Sequence, residues 1–397
     1  MKIRRLHLWA SLLAVWVLLA GADRAWGWGS TWLGANLEQV MDAARWRLGF
    51  LRIFASFRLD NVGYDSDLYY GNLAAPVPDG TATAGPQVHM YYPVLRSLVL
   101  EVYEYPRYDF FLHTKNERAW GNQFNGRVHF VLDKFYIEVG QGLSNARQRL
   151  SQELGIRVRG ETDDFNSLIL WQVSRGTSFA ATYRQLKYDY GNVTFNSTNI
   201  GQTLNRTEHY ADVMAYFQQA TLTRFYLNGQ YGDYRFTESA ATPRDSRSYS
   251  ASGGVEFLPA VLGQEQTSGI QGRFDIGYKR LDNILHLFSP YGGIIANTSV
   301  TAGVFPLTLL RGSFLRDIQF SAFSDFNYYI RSLYGVGLSY LVSKRLQAGY
   351  DLALGRDHYP LAPVAGGAAF RNDDTRSHTF QAVYKMRQDL QIGLTAS

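Results

Sequence analysis

The chain alternates. Leu51, Ile53, Ala55, Phe57 and Leu59 are interleaved with Arg52, Phe54, Ser56, Arg58 and Asp60; Gly126, Val128 and Phe130 with Arg127 and His129; Phe274, Ile276 and Tyr278 with Arg273, Asp275 and Lys279; Leu346, Ala348, Tyr350 and Leu352 with Gln347, Gly349 and Asp351. A period of two puts alternate side chains on opposite faces of a strand, one apolar and one polar. The pattern recurs from residue 47 to the end in segments of about 9–12 residues, long enough for a tilted strand to cross a bilayer. No helical layer interrupts it to cover a soluble sheet. Short links near 96–97, 133–134, 175–177, 219–220, 343–344 and 387–389 alternate with long polar links at 61–84, 111–120, 191–205, 237–246, 281–289 and 356–375. Short turns at one end and long loops at the other are the pattern of bacterial outer-membrane barrels. The expected fold is all-β: a transmembrane antiparallel up-and-down β-barrel of 16–18 strands. Direct parsing finds seventeen strands, and such barrels have even numbers, so eighteen is favoured, with the 150–174 stretch read as two strands.

The ends differ from this pattern. Lys2, Arg4 and Arg5 precede an apolar run from Leu8 to Ala20, followed by small residues at Ala20-Gly21-Ala22 and at Ala25-Trp26-Gly27. Residues 1–27 therefore read as a signal peptide, which exports the chain through the inner membrane to the outer one. Residues 28–46 read as a periplasmic lead-in, where Leu33, Leu37, Val40, Met41 and Ala44 fit a short amphipathic helix. Such a helix could also serve as a small plug. Residues 47–397 form the barrel. The end, Thr395-Ala396-Ser397, lacks the terminal Phe or Trp common in such barrels.

Composition sharpens this. With 27 Tyr, 24 Phe and 8 Trp, aromatics make up 15% of the chain. Pairs such as Tyr69-Tyr70, Tyr91-Tyr92, Phe110-Phe111 and Tyr328-Tyr329 lie towards strand ends, where amphipathic rings form interfacial girdles. Zero cysteine excludes disulfides, Cys-ligated metal centres and thiol nucleophiles. The net charge of +5 falls to +2 once the leader is removed, so nucleic acid is not an expected partner. The expected partners are outer-membrane lipid, a small polar solute or polysaccharide, and periplasmic export machinery. No cofactor or metal is expected.

Candidate chemistry lies in the lumen. Arg52, Arg58, Arg127, Arg157 and Arg159 come from the first third, and Asp212, Asp275, Asp317, Asp325 and Asp351 from later strands. In a barrel these would make a basic wall facing an acidic one, a field that tunes pore selectivity. The alternative is that they pair with neighbouring strands. Tyr210, Tyr216, Tyr226 and Tyr234 could form a slide of rings for a glycan. No motif of a hydrolase occurs; His129 and His209 are the candidates if a Ser–His–acid site assembles from separate strands. An enzyme is not expected. The third reading is a plugged structural or adhesive barrel acting through its loops.

The opening strand from Trp46 to Tyr70, with Asn61-Val62-Gly63-Tyr64-Asp65-Ser66 at its end, resembles the start of β-barrel porin family 2, which includes barrels of exopolysaccharide-biosynthesis loci. The stretches Arg159-Gly160-Glu161-Thr162-Asp163, Leu168–Phe179 and Tyr188-Asp189-Tyr190 are similar to that family's repeating pattern. The resemblance implies a passive conduit, with secreted polysaccharide as a candidate cargo, and it transfers no catalytic residue.

Overall fold

The computed structural model describes residues 32–396 except 70–75, 152, 196–197, 221, 239–241, 259–268, 306, 324–325, 361–370 and 388–389. The leader lies outside the described residues. The described residues start with helix α1 (Trp32–Asp42), then run through β1 (Trp46–Leu48), β2 (Leu51–Asp65), β3 (Asp79–Leu95), β4 (Leu98–Phe111), β5 (Ala119–Val131), β6 (Phe135–Gln148), β7 (Val158–Gln172) and β8 (Thr177–Tyr190). A small hairpin, β9 (Thr194–Phe195) with β10 (Thr198–Asn199), and helix α2 (Ile200–Leu204) occupy the next loop. The wall resumes with β11 (Arg206–Ala220), β12 (Thr223–Phe236), β13 (Ser246–Phe257), β14 (Gly269–Asn283), β15 (Tyr291–Phe305), β16 (Thr308–Phe320), β17 (Tyr328–Leu341), β18 (Leu346–Tyr359), β19 (Arg371–Arg387) and β20 (Leu390–Ala396).

Each wall strand pairs antiparallel with the next in chain order, β8 joining β11 across the small hairpin. This is an up-and-down meander in one sheet of eighteen strands. The eighteenth strand is the three-residue β1, folded back on β2. It does not come from splitting 150–174: residues 150–157 belong to a loop, and β7 is one unbroken strand. The polar residues after Leu150 lose the alternation because they are drawn into contacts at the outer mouth, described below.

The two faces of the wall are as the alternation demands. On β7, Ile169 and Trp171 are exposed outward while Leu170 is fully buried inside. Phe57, Leu59, Val213, Leu227, Phe274, Ile276, Val336 and Leu338 continue the outer apolar belt. Near the short-turn end Phe135, Trp171 and Phe179 form a row of rings, with centroids 6.2 Å apart at both contacts. Towards the long-loop end Tyr108 meets Trp120, and Tyr231 meets Tyr249. These are the lower and upper girdles of a membrane-crossing barrel. Only helices and barrels satisfy every backbone polar group within hydrocarbon. The protein is an outer-membrane β-barrel, its apolar belt in lipid and its polar residues within.

The interior is not an open tube. Helix α1 lies inside the short-turn, periplasmic end. Its Leu37 and Met41 pack on Tyr91, Val99, Val131, Tyr136, Leu170 and Ala180, which are inward residues of β3 to β8, with Phe54 and Tyr216 beside them. Each buried side chain of this size contributes about 1.5–3 kcal/mol through removal from water.

A second feature narrows the long-loop end. The β15–β16 ladder stops at Ala296–Arg316, whereas β16–β17 continues to Phe320–Tyr328 and β14–β15 to Leu281–Tyr291. Freed from β15, the β16–β17 tip leans into the lumen. Ile318 and Tyr328 join Tyr234, Leu281 and Tyr291 in a buried cluster, and Phe320 packs edge-on against Tyr234 and Phe236, four strands away.

Candidate functional site: a lumenal chamber

Between α1 and the in-leaning hairpin lies a cavity of about 570 Å³. Its walls come from β6 to β8, β11, β12, β14 and β16, and they include Tyr188, Tyr210 and Phe320 beside Arg206, Glu208 and Asp212. Arg206 donates to Glu208 (2.7 Å) and lies over the rings of Tyr188 (4.4 Å) and Phe320 (5.2 Å). Lys279 on β14 reaches Asp317 on the hairpin at 2.9 Å and so ties the hairpin to the wall two strands away.

Below the chamber, next to α1, sits a polar cluster. The Glu101 carboxylate contacts His89 Nε2 and His129 Nε2, each at 2.7 Å. His129 Nδ1 meets the Tyr136 hydroxyl at 2.7 Å, and that hydroxyl donates to Glu138 at 3.2 Å. Arg127 lies 3.5 Å from Glu138 and 3.8 Å from Glu101. Buried charges persist where they are paired and hydrogen-bonded. Here each carboxylate is met by both a ring nitrogen and a guanidinium.

Above the chamber the outer loops interlock. Glu153, in the β6–β7 loop, accepts from the Ser321 hydroxyl (2.6 Å) and the Ala322 amide (2.7 Å), both in the β16–β17 loop. Arg244, in the β12–β13 loop and only 3% exposed, donates to the carbonyls of Thr203 (3.1 Å), Ser321 (2.7 Å) and Asn327 (2.8 Å). Its guanidinium thereby joins three loops. Burial lowers the Arg244 pKa to about 9; nearby Arg206 pushes the same way and Glu153 opposes it. Leu154, Val158, Ile200, Leu204 and Ala322 form the apolar underside of this knot.

The sequence-derived charges are distributed differently from two opposed walls. Arg127 pairs as above, and Arg157 lies within 4.0 Å of Asp109 and 3.8 Å of Glu117, so the early basic residues neutralise early acids. Arg52 donates to the Gly49 carbonyl, and Arg58 lies over Tyr105. On the later strands Asp275 is met by Arg273 (3.1 Å), Asp317 by Lys279, and Asp351 by Arg311 (2.9 Å). Pairing with neighbours replaces the expected field, because a charge in a narrow lumen gains more from an adjacent partner than from a distant wall. Arg159 is corrected outright. It is exposed, on the face of β7 opposite buried Val158, and so does not line the lumen. Asp325 lies outside the described residues. Asp212 does line the chamber.

The four tyrosines make two pairs, Tyr210–Tyr234 at 5.8 Å and Tyr216–Tyr226 at 6.2 Å, one above the other on β11 and β12. His129 and His209 do not share a site. His129 is held by Glu101 and Tyr136 inside, while His209 meets Tyr183 at 2.9 Å on the outer face. Among the described residues no group of three or more His, Asp or Glu is placed to hold a metal ion. Sequence reasoning missed the loop-knot residues: Arg244 stands in a polar link that reads as solvated, and Glu153 and Ser321 fall in stretches that read as strand.

No family model matches the chain, and no curated protein does. Solved structures do. The siderophore receptor PirA from Pseudomonas aeruginosa is 9% identical with a TM-score of 0.45, covering 88% of this chain and 71% of its own. The copper transporter OprC is 11% identical with a TM-score of 0.44, covering 88% and 63%. The ferric enterobactin receptor of Pseudomonas aeruginosa is 10% identical with a TM-score of 0.46, covering 85% and 61%. The chain thus spans less than two thirds of the length of the last two. Likenesses this distant assign neither cargo nor mechanism.

Proposed function

We propose that this barrel is a non-catalytic transporter that passes polar solutes across the outer membrane, with both mouths narrowed. The observation that carries the reading is the chamber itself: a polar cavity inside a membrane wall, flanked by α1 below and by the loop knot above. A barrel serving only as a scaffold for its loops needs no such hollow. An enzyme would need a nucleophile beside His129, whose two ring nitrogens are occupied by Glu101 and Tyr136.

The finer reading is export of a secreted polysaccharide delivered by periplasmic machinery. The tyrosine pairs on β11 and β12, one edge-on and one tilted, favour it, since apolar rings flanked by carboxylates and amides suit sugar faces. Small polar solutes are the alternative cargo. Proteoliposome flux tests the general reading: the wild type is expected to leak small neutral sugars slowly, and a variant lacking the α1 contacts, Leu37→Asp with Met41→Asp, at least ten times faster. Equal impermeability of both to every polar solute would contradict transport.

A further inference from the structure

The chamber carries a charge imbalance at one residue. Glu138 is matched by Arg127, Arg184 by Asp164 (2.7 Å), Arg206 by Glu208 and Lys279 by Asp317. Asp212 is not matched. It is only 9% exposed, and its carboxylate accepts from the Gln230 amide (2.7 Å) and the Thr182 hydroxyl (3.0 Å), both neutral. Among the described residues no cation lies within ion-pair distance of it. An ionised carboxylate has about four acceptor positions, so two donors leave capacity unused. A buried charge without a counter-charge is costly, and here that cost is borne at the wall of a cavity large enough for a small organic molecule.

The surroundings define what would balance it. Tyr210 stands two residues away on the same inward face of β11 and lines the same cavity. Its hydroxyl is committed to Glu208 at 2.7 Å. Ring faces in this chamber already receive a cation, since Arg206 lies over Tyr188 and Phe320. A carboxylate beside aromatic rings is the setting in which ammonium groups gain both ion pairing and cation–π attraction. One carboxylate with no further anionic ligand suits a diffuse organic cation better than a metal ion, in keeping with the lack of a metal-binding cluster among the described residues.

We propose that the chamber is a binding site for compact organic cations, with Asp212 as counter-charge and Tyr210 as the ring that receives the ammonium group. The proposal rests on the transport reading only in requiring that solutes reach the chamber.

The test is calorimetric titration of the purified, folded barrel with choline and with its neutral isostere 3,3-dimethylbutan-1-ol. The Arg244→Ala variant is titrated alongside as the form with an unlatched outer mouth. Choline is expected to bind at least ten times more tightly than the isostere, and Asp212→Asn to reduce choline binding at least tenfold. Tyr210→Leu is expected to weaken choline more than the isostere. Equal binding of the two probes to the wild-type chain overturns the proposal without any variant, so a misfolded Asp212→Asn does not shield it. Choline bound equally by wild type and folded Asp212→Asn overturns it, as does lack of binding in both wild type and Arg244→Ala. Flux separates the two readings: Asp212-dependent binding with no flux in any variant sinks transport and keeps the site, whereas flux without Asp212-dependent binding does the reverse.

Discussion

The two mouths of the barrel are narrowed by opposite chemistry. The inner one is stoppered by an apolar helix face, Leu37 and Met41 against Val99, Val131 and Leu170. The outer one is closed by directional bonds, with Arg244 on three carbonyls and Glu153 on a hydroxyl and an amide. Apolar packing is non-directional, so a helix can shift along a greasy wall and lose contact gradually. A buried guanidinium loses hydrogen bonds as a set, and each partner left unpaired pays its own desolvation cost. The comparison predicts an outer mouth that is either latched or released and an inner mouth that loosens by degrees.

The largest effect is expected from the outer latch. Arg244→Ala leaves three loop carbonyls without their donor and should cost on the order of 3 kcal/mol of loop stability. The measurement is limited proteolysis of intact vesicles: loops 191–205 and 321–327 should become cleavable from outside while the barrel stays folded. Glu153→Gln keeps the shape but weakens the acceptor, and should give a smaller increase at the same sites. If Arg244→Ala and wild type are cut at the same rate, the latch is not what holds the loops.

Next comes the inner stopper. Leu37→Ala removes a buried side chain in a packed cluster, a change that costs about 2–5 kcal/mol where the site cannot collapse. A single apolar helix has room to readjust, so the lower half of that range is expected. Hydrogen exchange of α1 should accelerate without change in the outer loops. Faster exchange at both ends would mean that the two seals are coupled, which would break the comparison.

The sequence reading of the wall and of the seals differed for a physical reason. Period-two alternation is a local property written into each strand, so β2, β5 and β14 were legible from their own residues. So was the helical spacing of Leu33, Leu37 and Met41. What could not be read was which distant residues meet. Lys279 and Asp317 are separated by 38 positions, and Arg244 and Asn327 by 83. Nothing in Thr242-Pro243-Arg244 distinguishes a buried latch from a solvated turn. Arg159 was misplaced for the complementary reason: at a strand's outer end the alternation runs into a loop, and its phase is lost after residues 150–157. The opposed-wall reading failed because it weighed charge along the chain and ignored neighbours across the sheet, such as Arg311 beside Asp351.

Smaller effects follow within the lumen and at the rim. Arg127→Gln removes the cation shared by Glu101 and Glu138 and should destabilise the His89–Glu101–His129 cluster by about 1–3 kcal/mol, read as a lowered unfolding midpoint in detergent. The rim pair Arg356–Asp374 is 2.7 Å apart but about two thirds exposed on both sides. Exposed pairs contribute little, so Arg356→Gln should leave both unfolding and conductance unchanged. A rim effect as large as that of Arg127→Gln would show that exposure does not rank these pairs.

The central claim is a chamber restricted at two independent ends, and single-channel recording in planar bilayers tests it most directly. The wild type should be silent or open only briefly; Arg244→Ala and the Leu37→Asp, Met41→Asp variant should each show intermittent openings; and the combined variant should carry a sustained current. A wild-type chain that conducts steadily at the level of the combined variant would contradict the account.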